Sequence, residues 1–214
     1  GPRVYSTGVG EQHRVVLDDG SSLLLDTDSM VRVRMSAERR TIELIKGRAH
    51  FAVAKDPSRP FVVRAGQQQV VALGTAFDVD REDDDTTVVL IEGRVAVRAL
   101  RRGSALPERL MVPGDRLRFR RDELTGADRP DMAVMSAWQT GRLIFAGETL
   151  LAAAREFNRY NRRHLIVADS ALAAMEVSGV YDVDNPEGFA RSIGFLLPVA
   201  AQIDGDTITL SRIE

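Results

Sequence analysis

The chain contains no cysteine, which excludes disulfide bonds and thiolate metal sites and leaves the redox compartment open. Histidine is nearly as scarce, with only His13, His50 and His164. They are far apart in sequence and lack the i, i+4 spacing of a helical metal site, so no metal or cofactor is expected. One Trp and three Tyr are too few to line the shallow aromatic groove of a carbohydrate-binding module. No run approaches the roughly 18 consecutive apolar residues of a membrane-spanning helix, and no charged-then-apolar leader opens the chain. Charge of one sign is missing too: 29 basic against 31 acidic residues leave a net charge of -2. That balance excludes a dedicated nucleic-acid binder, which needs a basic surface. What is present is a chain of 214 residues, 44% apolar, enough to bury one large core or two small ones.

The first 120 or so residues carry closely spaced β signals. Arg14 to Leu17 and Ser22 to Leu25 flank Asp18-Asp19-Gly20-Ser21, and Asp-Gly between apolar runs marks a hairpin because both positions tolerate positive φ. Val31 to Met35, Thr41 to Leu44 and Ala49 to Val53 alternate with period two, with Lys46-Gly47 breaking the run between the last pair. Further strands are expected at Phe61 to Arg64, Gln69 to Leu73, Ala76 to Val79, Thr87 to Ile91, Val95 to Ala99 and Arg116 to Phe119. Such spacing predicts an all-β domain over residues 3–121, as a sandwich, a barrel or a solenoid-like stack.

Around Asp122 to Met135 the periodicity fades among Gly126, Pro130 and several Asp residues, which predicts a linker over 122–135. The remainder, 136–214, alternates helix and strand. Leu143-Ile144-Phe145 precedes a helix from Glu148 to Arg162, with Leu150, Leu151, Ala154, Phe157 and Asn158 at helical spacing; Leu165 to Val167 and Val177 to Val183 follow as strands. Asn185-Pro186 then supplies an N-cap with Pro at the first helical position. Phe189, Ile193, Phe195, Leu196 and Leu197 load that second helix until Pro198 ends it, and Val199 to Ile203 with Thr207 to Leu210 close the chain as a hairpin around Asp204-Gly205-Asp206. The order is βαβ followed by βαββ, so the whole is a β-rich α+β protein.

Few residues carry chemistry. Glu82 to Asp85 lack the ligand spacing of a calcium loop and read as a solvated hairpin tip. Arg159, Arg162 and Arg163 beside Tyr160 read as complements to a helix dipole. At Gly74-Thr75 two readings compete. One is a tight bend between strands. In the other the Thr hydroxyl attacks the preceding carbonyl, helped by the unobstructed glycine, and the resulting ester hydrolyses. No small-molecule substrate is indicated.

The ordered succession Gly10-Glu11, Leu17-Asp18-Asp19-Gly20-Ser21, Lys46-Gly47-Arg48-Ala49-His50-Phe51, Arg59-Pro60-Phe61, Val70 to Val79 and Glu92-Gly93 resembles the FecR family of transmembrane sigma-factor regulators. Trp138 to Phe145, Leu150-Leu151, Glu156-Phe157-Asn158-Arg159-Tyr160 and Val177-Ser178-Gly179-Val180-Tyr181 continue that resemblance into the carboxy-terminal part, whose element order is similar to the secretin and TonB short N-terminal (STN) fold. Two departures stand out. Lys46-Gly47-Arg48 replaces a Gly followed by an acidic residue, and Phe77-Asp78-Val79 replaces Phe-Asn-Val.

The resemblance implies a periplasmic fragment of a single-pass inner-membrane protein, consistent with Gly1-Pro2 being a scar of tag removal. It implies an anti-sigma factor that binds the signalling domain of a TonB-dependent siderophore transducer, reaches an ECF sigma factor through a cytoplasmic region, and is processed by envelope proteases. It also implies self-cleavage at Gly74-Thr75 in some members. A small βαβ domain recruits partner strands along exposed sheet edges. Candidate contacts are therefore Leu143, Ile144, Phe145, Val177, Ser178, Gly179, Val180, Tyr181, Thr207, Ile208 and Leu210, within a last strand segment running to Ile213. The competing classes are a single-turnover self-cleaving regulator and an envelope carbohydrate-binding or assembly module.

Overall fold

A computed structural model of the chain describes residues 1–100 and 107–214; the stretch 101–106 of the expected β domain lies outside the described residues. The chain divides into two compact units, Gly1–Met132 and Ala133–Glu214, each with its own hydrophobic core.

The first unit is all β. Its strands are β1 (Arg3–Ser6), β2 (His13–Val16), β3 (Ser22–Leu25), β4 (Met30–Met35), β5 (Arg40–Ala52), β6 (Phe61–Ala65), β7 (Gln68–Ala72), β8 (Ala76–Glu82), β9 (Asp85–Glu92), β10 (Val95–Ala99), β11 (Arg109–Met111), β12 (Arg116–Arg120) and β13 (Glu123–Asp128). They form one curled sheet, with every described neighbour pair antiparallel except β5 and β6. One half runs β11-β10-β7-β6-β5-β4-β1 and the other β2-β3-β5-β8-β9-β12-β13. β5 belongs to both halves. Alternation puts Val31, Val33, Phe77 and Val79 inside while Arg32 and Arg34 stay out, and the inward rows of both halves merge in one cluster, where Phe51 stacks on Phe77 at 5.1 Å and meets Phe61 edge-on at 6.1 Å.

Lys46-Gly47 does not break β5, as its sequence suggests. The strand runs through, and what changes is its phase: Arg40, Ile42 and Leu44 face the core, then Ala49 and Phe51. The register slips once opposite Met30 and Val31. Gly47 makes the passage with φ +85°, and a Cβ there would lie 2.0 Å from Ser29 Oγ, so no other residue fits. The expected linker differs as well. Residues Glu123–Asp128 form edge strand β13, held by Arg116 to Asp128 at 2.6 Å and Arg118 to Asp128 at 3.3 Å. Its ladder and its ion pairs supply what its short, polar, glycine-containing sequence lacks.

A buried ion pair fastens the turn between β2 and β3 to this core. The Arg40 and Asp19 side chains are 0% and 4% exposed, and Arg40 Nη1 lies 2.8 Å from Asp19 Oδ2. Arg40 also donates to the carbonyls of Ala54 at 2.8 Å and Arg59 at 3.0 Å, and its guanidinium lies 5.3 Å from the Phe61 ring centre. Ser21 donates to Asp19 through both its N–H at 3.0 Å and its hydroxyl at 2.7 Å. The Ser21 oxygen in turn accepts the Ala54 N–H at 2.9 Å. Burial pushes the Asp19 carboxyl upward, but the hydrogen bonds from Arg40 and Ser21 outweigh it and hold it below its ordinary 3.8.

The second unit is α/β. Its elements are α1 (Met132–Ser136), which starts at the boundary, a 3-10 turn (Ala137–Thr140), β14 (Arg142–Thr149), α2 (Leu150–Tyr160), β15 (His164–Val167), α3 (Ser170–Ala173), β16 (Glu176–Asp182), α4 (Pro186–Ile193), β17 (Val199–Asp204) and β18 (Thr207–Arg212). β14 and β16 form an antiparallel ribbon; β15, β18 and β17 form a second sheet in that order. Caps fix the helix starts: Thr149 accepts from Ala152 N–H, Asp169 from Ala171 and Leu172, and Asn185 from Gly188 with Pro186 next in line. Phe145, Phe157, Tyr181 and Phe189 pack with ring centres between 4.7 and 6.2 Å, at the centre of this core. α4 ends at Ile193, so Phe195 and Leu196 lie beyond the helix they were expected to load. They are 84% and 80% exposed.

Arg40→Met leaves Asp19 buried without its cation, and should lower the unfolding free energy by about 3–5 kcal/mol in urea titrations followed by circular dichroism. Asp19→Asn added to it should restore part of the loss. Because the Asp19 carboxyl is depressed in the folded state, its contribution is complete above 3.8 and is lost as the pH falls below that value. The Arg40→Met variant should therefore lose less stability on acidification than the parent.

Candidate cleavage and partner-binding sites

Gly74-Thr75 lies in the bend between β7 and β8. The Val53 N–H donates to the Thr75 carbonyl at 2.8 Å and the Asp56 N–H to the Leu73 carbonyl at 3.4 Å, so the segment after β5 straps the bend from one side. Gly74 does not need positive φ. It needs room: a Cβ there would lie 2.4 Å from Lys55 Cγ. On the other side Gly93, at φ +84°, lets the β9–β10 turn close in, where a Cβ would lie 2.9 Å from the Gly74 carbonyl oxygen and 2.7 Å from Thr75 Cγ2. Thr75 is buried and its hydroxyl oxygen has no hydrogen-bond partner. An orphaned buried hydroxyl costs about 1–3 kcal/mol. Asp56, at the end of the strap, is brought down to about 2 by hydrogen bonds from Ser58 and then Arg59.

The candidate binding strands divide by position. β14 and β16 pair only with each other among the described residues, so Leu143, Ile144, Phe145 and Val177 to Tyr181 do lie on strands with a second edge. Their side chains are split, however: Leu143, Phe145 and Val177 are buried in the core, while Ser178, Gly179 and Val180 are exposed. Thr207, Ile208 and Leu210 do not lie on an open edge. β18 is the middle strand, parallel to β15 and antiparallel to β17, and Ile208 and Leu210 are fully buried. A terminal strand reads as an edge in sequence, but here the parallel pairing with β15 places it at the centre. The open edge of that sheet beyond the hairpin is β17, which sequence reasoning passed over because it pairs as the hairpin partner.

Residues 3–96, which carry the strap, the bend and the Gly93 turn, match the model of the family described as FecR protein. They are similar to a FecR domain, and the first unit that contains them, Gly1–Met132, is termed the FecR domain. Two crystal structures of a candidate anti-sigma factor from Parabacteroides distasonis share the fold of the chain, one at TM-score 0.84 and 22% identity over 99% of this chain and 100% of that one. The other has TM-score 0.83 and 21% identity over 100% of both. Comparison with curated proteins finds no match.

In the FecR domain His50 and the acidic tip are engaged structurally. His50 Nδ1 lies 2.6 Å from Asp78 across the β5–β8 ladder. The acidic tip is ion-paired, Asp85 with Arg120 at 2.9 Å and Asp84 with Arg121 at 3.3 Å. A groove of about 670 Å³ on the same domain is lined by Arg32, Arg34, Arg39, Arg64 and Arg81 among others, with no aromatic ring. Outside the FecR domain, Arg159 pairs with Glu156 and Arg163 with Glu187, and Tyr160 is buried. Two of the three arginines there are thereby ion-paired.

Gly93→Ala combines a strained φ with contact against the Gly74 carbonyl. It should destabilise the FecR domain by about 2–4 kcal/mol, measured as the shift of the urea midpoint. Gly126→Ala, whose Cβ would be 3.5 Å from the flexible Arg118 tip, should cost less than about 1 kcal/mol.

Proposed function

We propose that this chain is the periplasmic signalling region of a FecR-type anti-sigma factor. Its second unit, which we read as STN-like, binds the signalling domain of a TonB-dependent siderophore transducer. The observation that carries the reading is the succession, in one chain, of a FecR domain and a small βαβ-βαββ unit with unpaired strand edges. The likeness to a candidate anti-sigma factor along nearly the whole chain supports it. Docking at the second unit alters the FecR domain or its access to an envelope protease, and the signal passes to an ECF sigma factor through a cytoplasmic region. Such a relay requires that the transducer bind one state of the regulator more tightly than another. An envelope sugar-binding module is disfavoured by the aromatic-free groove. The purified chain titrated with the signalling domains of transducers encoded near it should bind one of them in a saturable 1:1 complex. Absence of binding to all of them would overturn the reading.

The unpartnered Thr75 hydroxyl favours a second, compatible activity, a single-turnover cleavage of the chain. The hydroxyl oxygen adds to the Gly74 carbonyl carbon and the amide C–N bond breaks, leaving an ester and a free Thr75 amine that has taken up the hydroxyl proton. Water then hydrolyses the ester, releasing the Gly74 carboxylate and restoring the hydroxyl. On a denaturing gel the protein should separate into fragments 1–74 and 75–214, and Thr75→Ala should stay intact. A single band after long incubation of the parent would remove this activity and leave Gly74-Thr75 a structural bend.

A further inference from the structure

The second unit has several strand edges, and most of them are blocked. On β14 the register slips at Gly147, at φ +92°, between Ala146 and Glu148, and Arg142 and Glu148 add charge at its two ends. On β16, Gly179 sits at φ +136°, and Glu176 and Asp182 bracket the strand. The edge of β15 is occupied, since Asn158 donates to the Leu165 carbonyl at 2.9 Å and accepts its N–H at 2.7 Å. Bulges, charges and caps are the devices by which proteins keep edges from recruiting strands.

β17 has only one of them, the charge of Asp204 at its last position. From Val199 to Ile203 it carries no charge, no proline and no register slip, and Ala200 to Asp204 are exposed on both faces of the strand. Its only described partner is β18. The apolar pair Phe195-Leu196 precedes it, with Leu197 and Pro198 between. The end of α4 abuts the strand, for a Cβ on Gly194 would lie 3.4 Å from the Val199 carbonyl oxygen. At the other end stand Asp204 and Asp206, both exposed.

We infer that β17 is a strand-addition site that takes an extended segment of a partner protein, apolar where it passes Phe195 and Leu196 and basic where it passes Asp204 and Asp206. Backbone hydrogen bonds along an edge of about 20 Å hold the segment, and the two ends set its direction. Charge complementarity selects a foreign strand over a second copy. Antiparallel self-pairing about Ala201 would set Phe195 and Leu196 towards Thr207 and Asp206, leaving the apolar pair against an acidic turn. The inference deepens the partner-binding role proposed above and rests on it for the partner's identity alone.

The test uses the full chain and a fluorescent, end-blocked peptide of alternating Val and Thr with Phe at one end and two Lys at the other. Saturable binding is expected. It should weaken at least about ten-fold in Phe195→Asp/Leu196→Asp, whose side chains make no core contact to lose, and again when alternate peptide amides are N-methylated. No saturable binding, or binding indifferent to both changes, overturns the inference. So does light scattering that shows a dimer of the parent dissolved by the double substitution, since the edge would then be taken by a second copy. Transducer binding unaffected by the double substitution would reject the β17 site while the proposed function stands. Peptide binding without any transducer binding would do the reverse.

Discussion

The Arg40–Asp19 pair is the constraint from which much of the FecR domain takes its geometry. It is a full charge pair held within the protein at 2.8 Å, where desolvation cancels much of the Coulomb attraction, so its net contribution is smaller than the cost of breaking it. Its effect is positional. Through Ser21 and the Ala54 backbone it locks the β2–β3 turn to the segment following β5. That same segment donates from Val53 to Thr75 and places Lys55 over Gly74. The Gly74-Thr75 peptide is therefore set from one side by a buried charge pair and from the other by the Gly93 turn.

Much of this was legible in the sequence where local chemistry and tertiary structure agree. The Asp-Gly hairpin, the Asn185-Pro186 helix start and the closing hairpin around Gly205 each depend on turn or cap residues that act within a few positions. The FecR strands with clean alternation were legible for the same reason. β1, β11 and β13 were not, because each is short and held mainly by its neighbour. Asp19 looked like a turn residue and is also a buried ligand of Arg40; a partner 21 positions away leaves no periodic signal. Phe195 and Leu196 fitted an apolar helix by composition, yet the helix stops at Gly194, and their hydrophobicity faces solvent.

The two units treat their polar surface differently. In the FecR domain outward arginines meet carboxylates across the ladder, as Arg32 does Glu43 at 2.6 Å and Arg116 does Asp128 at 2.6 Å. These exposed pairs add little stability each, but they oppose register slips. The second unit protects most of its edges and leaves β17 the least protected, with a single charge at its end. An edge with so little protection is an aggregation hazard unless something covers it, so its persistence fits a surface that works in contact.

The strands around Gly74 are shuffled through the sheet rather than sorted by chain order. β5 lies before the bend and pairs with β8 beyond it, and β7 likewise pairs with β10. Phe51 and Phe77, one from each side, stack in the same core. A break in the chain at residue 74 would therefore not divide the domain. The two pieces would remain zipped by their ladders, as a split protein whose halves never part on their own. Such a joint is silent to diffusion but not to tension: a pull along the chain is borne there by hydrogen bonds instead of a covalent bond.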